Sequence, residues 1–272
     1  LCWLQGEDIF LDQLNEEYKG RVFETLGSLS EHVDRFVATS DFYARYMAGY
    51  LGLAPEHISK ARIGISLDGH RPPTEPLTVR KEGRLEIGYL ARICPEKGLH
   101  VLCEAFRKLS EALGPGRVRL RVAGYLGPRD RAYLDDCLRQ LRGWGLEGDF
   151  EYLGQVDRAT KIRFLQSLDL LSVPTVYRES KGLFVLEAMA NGVPVVQPDH
   201  GIFPELIERT RGGIVVEAGS ADALAEGILR LWRDPEERQR LGLQGREAIH
   251  QKYSADVMAQ ETLDLYREVL DS

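Results

Sequence analysis

The 272-residue sequence contains no apolar run approaching the ~20 residues of a membrane-spanning helix. Its opening, Leu1-Cys2-Trp3-Leu4-Gln5-Gly6, has neither a basic stretch nor a long apolar core, which argues against a secretory signal. No Cys-x-x-Cys, His-Glu-x-x-His or His-x-His occurs and the histidines are scattered, so a protein metal site is not expected. The 4 cysteines (2, 94, 103 and 137) read as reduced, mostly buried thiols of a cytosolic protein. Positive charge is in deficit. The 35 Lys plus Arg against 42 Asp plus Glu give a net charge of −7, a poor basis for sequence-independent binding, so no nucleic-acid partner is expected. Short-period repeats and low-complexity tracts are absent. An initiating Met is absent too, and the first residues already read as a strand, so the start reads as a cut.

What is present is globular: 43% hydrophobic and 28% charged residues, enough chain for one large domain or two small ones. Strands rich in Val, Ile and Leu alternate with helix-period segments, the pattern of a parallel α/β protein. Strands are expected at Cys2–Gln5, Arg35–Thr39, Ile58–Ile65, Leu85–Leu90, Arg117–Ala123, Phe150–Leu153, Leu170–Val173, Val193–Gln197 and Gly213–Val216. Gly6-Glu7-Asp8 closes the first strand as a turn. Helices are expected over Tyr18–His32, Asp41–Leu51 behind the N-cap Ser40, Gly98–Leu113, Arg129–Trp144, Lys161–Leu168, Leu183–Asn191, Pro204–Glu208, Ala221–Arg233, Pro235–Lys252 and Ala255–Leu270. Gly69, Pro72, Pro73, Pro76 and Gly83 lie among charges and read as a hinge.

Three clusters offer chemistry. Arg92-Ile93-Cys94-Pro95-Glu96-Lys97-Gly98 follows a strand and opens a helix, where open α/β sheets bind ligands. Two cations and free N–H groups there suit a diphosphate, and a solvated charged turn is the plain alternative. Glu179 and Glu187 stand eight residues apart. Gly182 marks a helix start, which leaves Glu179 in a loop and Glu187 mid-helix among apolar neighbours, where it needs a hydrogen-bonding partner such as a ribose hydroxyl. Two exposed carboxylates are the alternative. Glu205, in Gly201-Ile202-Phe203-Pro204-Glu205, can simply complement a helix dipole.

In order along the chain stand strand, R-x4-K-G and helix, then Gly154 with Lys161, then E-x7-E-A-M-A-x-G-x-P-V-V, then G-x-x-P-E-L. This series resembles the nucleotide-sugar domain of GT-B glycosyltransferases of group 1, or family 4. The resemblance covers about Arg84 to Leu270. It extends more weakly through Ala38-Thr39-Ser40 to the start of the chain.

The resemblance implies a doubly wound, Rossmann-like parallel sheet of GT-B type over residues 76–252. It implies an incomplete second Rossmann-like domain on the acceptor side over 1–75, and a closing helix over 253–272 that packs back toward it. The implied donor is a nucleotide-diphosphate sugar; the acceptor, a saccharide, a lipid-linked group or a small molecule, stays unnamed. Arg92 and Lys97 match the family's phosphate-binding cations, Glu187 its ribose acceptor and Glu179 the residue that contacts the transferred sugar. The backbone of Gly182, Leu183 and Phe184 matches the stretch that reaches phosphate and sugar oxygens, and the loop Gly154, Gln155 and Val156 the one that lines the base. The implied reaction is retaining transfer with no metal cofactor, in the cytoplasm or peripherally at the membrane. The missing N-terminal part of the polypeptide would supply most acceptor contacts.

The sequence departs from the pattern in places. Glu179-Ser180-Lys181-Gly182 replaces E-G-F-G and adds a cation, His200-Gly201 replaces a doubled glycine, and Ile63-Gly64-Ile65-Ser66 replaces the hinge N-G-V-D. In the loop Gln5-Gly6-Glu7-Asp8, Gln5 falls where members often place a His. Three other readings stand beside transfer: a sugar-nucleotide epimerase or hydrolase, a non-catalytic sugar-nucleotide-binding module, and a nicotinamide-binding oxidoreductase. The last is disfavoured because Gly124-Tyr125-Leu126-Gly127 is G-x-x-G, not G-x-G-x-x-G.

Overall fold

The computed structural model describes residues 1–77 and 83–271. Contacts divide the chain into two units. One comprises Leu1–Ser66, Glu179–Gly182 and Lys252–Ser272, the other Leu67–Arg178 and Leu183–Gln251.

The first unit is built on three parallel strands in the order β1-β2-β3: β1 (Cys2–Leu4), β2 (Phe36–Ala38) and β3 (Ile58–Lys60). Between them run α1 (Glu7–Asp12), α2 (Glu16–Ser30) and α3 (Asp41–Leu51). Helix α3 starts where Ser40 Oγ accepts from Tyr43 N at 3.0 Å and stops at Gly52, whose φ of 68° is left-handed. Its Tyr43 and Met47 pack with Leu4, Phe36 and Ala38. Val37 and Ala61 pack instead with Leu265.

Two expectations are corrected here. Glu7–Asp12 is a helix, not a turn. Gly6 supplies the left-handed entry (φ 105°), and buried Asp8 is fixed by Tyr43 Oη, which donates to Asp8 Oδ1 at 2.8 Å and accepts from Gly6 N at 2.7 Å. The third strand ends at Lys60, not Ile65, because the following backbone finds other partners. Arg62 N donates to Glu261 Oε2 at 2.7 Å and Ile65 N to Tyr253 O at 2.9 Å.

The second unit is a six-stranded, all-parallel sheet. In chain order come β4 (Leu85–Leu90), α4 (Leu99–Leu113), β5 (Val118–Ala123), α5 (Arg131–Gly143), β6 (Phe150–Tyr152), α6 (Arg158–Gln166) and β7 (Leu170–Leu171). Then follow α7 (Leu183–Ala190), β8 (Val195–Pro198), α8 (Phe203–Thr210), β9 (Gly213–Val216), α9 (Ala221–Arg233) and α10 (Pro235–Lys252). The spatial order is β6-β5-β4-β7-β8-β9. All six residues of β4 are buried, as a central strand covered on both faces requires.

Of the expected hinge, residues 78–82 lie outside the described residues. The described stretch before them is tied to the second unit: Arg246 donates to Pro73 O at 3.1 Å, Gln239 donates to Leu77 O at 3.2 Å, and Leu77 is buried. Helix α11 (Ala255–Leu270) returns to the first unit, where Arg62 Nε donates to Glu261 Oε1 at 2.8 Å.

Candidate functional site

In the second unit the strand order reverses between β4 and β7. Connections leave those two strands in opposite directions, so their carboxyl ends border a crevice, the usual ligand position in an open parallel sheet. The segments that leave these ends carry most of the residues singled out in the sequence.

The turn after β4 is pinned before it reaches its charged residues. Buried Ile93 donates its N–H to Tyr125 O at 2.8 Å, and Tyr89 Oη donates to Arg92 O at 3.1 Å. The Arg92 side chain is exposed and makes no hydrogen bond or ion pair with any described residue. A short 3-10 turn, Pro95–Lys97, follows, and Gly98 (φ 71°) leads into α4. A Cβ on Gly98 would stand 1.8 Å from Pro174 O. The turn therefore lies directly on the segment that follows β7. That contact brings Lys97 to Tyr177, whose Oη accepts from Lys97 Nζ at 2.5 Å. The same ammonium lies 5.6 Å from the ring centroid of Phe184, in the first turn of α7.

Helix α7 begins immediately after Gly182 (φ 64°), as the sequence indicates. It is buried except at Leu183 and Glu187. Glu187 has the partner its setting demands: Lys161, from α6, forms an ion pair with Glu187 Oε1, with 26% and 16% of the two side chains exposed. Behind this pair, Asn191 Nδ2 donates to Glu187 O at 2.9 Å and lies 2.8 Å from His70 Nδ1. Burial and the nearby charges of Arg158, Lys161 and His250 lower the His70 pKa to about 4. The imidazole is therefore neutral at physiological pH, so Asn191 donates to it. Gly154 (φ 71°) follows β6, and its carbonyl accepts from Gly124 N at 2.9 Å. Gln155 beyond it is exposed and Val156 half-buried.

Glu179 and Gly182 group with the first unit. Glu179 is buried, and its Oε1 accepts from Lys181 N at 3.2 Å and Gly182 N at 3.5 Å. Thr39 Oγ1, just past β2, donates to Ser180 O at 3.3 Å, and Lys181 Nζ donates to Gln5 Oε1, just past β1, at 3.1 Å. The two departures noted in the sequence, Gln5 and Lys181, thus touch each other. Sequence reasoning did not reach Tyr177 or the pairing of Lys161 with Glu187. Lys161 was marked only as part of the motif series, and Tyr177 lies 80 residues from Lys97 with no spacing signal. Among the described residues no three His, Cys, Asp or Glu side chains gather as a metal site, and no helix is long and apolar enough to cross a membrane.

Comparison with known proteins follows the same lines. An uncharacterized glycosyltransferase of Methanocaldococcus jannaschii is 32% identical over 183 residues, 67% of this chain and 45% of that protein. A phosphatidyl-myo-inositol mannosyltransferase of Mycobacterium leprae is 30% identical over 237 residues, 87% of this chain and 59% of its own. The chain therefore spans about half the length of the curated relatives it matches. A crystal structure of Anabaena HepE in complex with UDP and glucose superimposes with a TM-score of 0.79 at 20% identity, over 93% of this chain and 68% of that one. That likeness is one of fold, the Rossmann-like α/β architecture of GT-B glycosyltransferases. The profile of the family described as glycosyl transferases group 1 matches residues 75–248, and the chain belongs to that family.

Proposed function

We propose that this chain provides the donor side of an enzyme that moves a sugar from a nucleotide-diphosphate sugar to an acceptor. In this reading it is a family 4 enzyme that retains anomeric configuration and needs no divalent metal. The observation that carries it is the meeting of Lys97, from the turn after β4, with Phe184 at the start of α7, 5.6 Å apart at the point where strand order reverses. Breaking a sugar–diphosphate bond puts positive charge on the ring and negative charge on the departing phosphate. Fixed cations and helix N–H groups aimed at that phosphate supply the electrostatic stabilisation that is usually the largest single contribution to catalysis. Arg92, Lys97 and the N–H groups at Gly182, Leu183 and Phe184 take that role. Glu187, oriented by Lys161, accepts from the ribose. Glu179 contacts the transferred sugar, and Gly154, Gln155 and Val156 line the base. The second unit is then the nucleotide-sugar domain and the first the acceptor side. The reaction runs in the cytoplasm, at the membrane surface where the acceptor is lipid-linked.

The HepE complex makes a uridine nucleotide the first to test. Calorimetric titration of the chain with UDP, GDP and ADP is expected to show saturable binding of one of them. Glu187→Ala should weaken it at least tenfold, about 1.4 kcal/mol. EDTA should leave the affinity unchanged. Absence of binding by all three nucleotides refutes the donor assignment, and loss of binding in EDTA refutes metal independence. The anomeric configuration of the product, read by NMR with the acceptor in hand, decides retention.

A further inference from the structure

The segment after β7 holds a side chain to which no role is assigned, Tyr177. Its backbone is fastened to the turn after β4. Thr175 is fully buried, and its Oγ1 donates to Tyr177 O at 3.0 Å. Val176 N donates to Glu96 O at 2.9 Å. Pro174 O occupies the space in which a Cβ on Gly98 would sit. Between these ties Tyr177 stays half-buried beside Lys97. The ammonium is 2.5 Å from the phenol oxygen and 4.8 Å from the ring centroid. Those two distances together put it beyond the hydroxyl end of the ring, not above its face. The contact with Tyr177 is therefore a hydrogen bond, and the contact between cation and ring face belongs to Phe184 at 5.6 Å.

We propose that Tyr177 is a positioning residue for Lys97: the phenol oxygen and the Phe184 face hold the ammonium where the donor diphosphate binds. The proposal rests on the donor-site reading above. A lysine side chain is long and loses considerable rotamer freedom when an anion immobilises it. Anchoring by a neutral phenol meets that cost in advance.

The test is titration of the full chain with UDP, GDP and ADP, and with the matching nucleosides by competition. Wild type, Tyr177→Phe, Lys97→Met and the double variant are compared. Tyr177→Phe is expected to weaken the diphosphate about fivefold, near 1 kcal/mol, and to leave the nucleoside within about twofold. In the Lys97→Met background the same change is expected to do nothing further. Equal loss for nucleoside and diphosphate would show a merely structural role and overturn the proposal. So would an undiminished effect in the Lys97→Met background, or no effect in the wild type. A wild-type chain that binds none of the three nucleotides overturns the donor-site reading itself, and this proposal with it.

Discussion

Gly98→Ala and Gly116→Ala form a matched pair, because both glycines have φ 71°. An alanine in the left-handed region costs about 1–2 kcal/mol on backbone grounds alone. Gly116 has no atom within 4 Å of the added Cβ, so that cost is the whole effect there. At Gly98 the Cβ falls 1.8 Å from Pro174 O and 2.8 Å from its carbonyl carbon, both backbone atoms. An ordinary contact requires the two segments to part by about 1.5 Å, and the Val176–Glu96 hydrogen bond resists it. Overpacking of this kind adds about 1–3 kcal/mol. Urea denaturation followed by circular dichroism should therefore rank Gly98→Ala at least ~1 kcal/mol below Gly116→Ala, at similar slopes. Nucleoside diphosphate affinity should fall in Gly98→Ala alone, since only there is the turn that carries Lys97 displaced. Equal stability losses in the two variants would refute the claim that the two segments are in direct contact.

Three further outcomes are expected. The His70 pKa lies near 4 in the fold against an ordinary 6.5, so the unfolded chain takes up a proton first as pH falls. Stability should be full above about pH 6.5 and decline toward pH 4, by at most ~3 kcal/mol. Melting temperatures from pH 7 to 5 should fall less for His70→Gln than for wild type, and identical slopes would count against the assignment. Tyr43→Phe removes the phenol that joins Gly6 N to buried Asp8, at an expected cost of about 2 kcal/mol by denaturant titration. A change under ~0.5 kcal/mol would contradict the buried link. For the partly exposed Lys161–Glu187 pair, a double-mutant cycle with Lys161→Met and Glu187→Gln should give a coupling of about 1 kcal/mol. Additive losses would mean that the pair is not formed in solution.

Local chemistry made much of this fold legible. Ser40, Ser220 and Ser254 cap the helices they precede, and the bounds of α3, α9, α10 and α11 follow from the sequence. Helix α1 escaped because its stability is tertiary. Phe10 is 72% exposed, so six residues give no amphipathic signal, and Asp8 is secured by Tyr43 from another helix. Ile58–Ile65 misled because its apolar residues satisfy a different edge: Ile65 bridges to Ser254. At the site, Arg92, Lys97, Gly182 and Glu187 occupy the loop and helix positions that the spacing implies. Their neighbours were invisible, since Tyr177 reaches Lys97 through the pairing of β4 with β7, and Lys161 reaches Glu187 through the packing of α6 on α7. Long-range strand order is the information that a linear pattern carries least.

The strand order has a kinetic consequence. During synthesis β4, β5 and β6 emerge in succession and are neighbours in the finished sheet, so this half can zip up from short-range closures. The other flank of β4 must wait for Leu170 and Leu171, over 80 residues later, before β7, β8 and β9 can add in turn. Closing such a long loop is slow relative to local pairing. The seam between the two halves therefore closes only after that wait, and Lys97 meets Phe184 only once it has closed. Recovery of nucleotide affinity in a refolding experiment would time that closure.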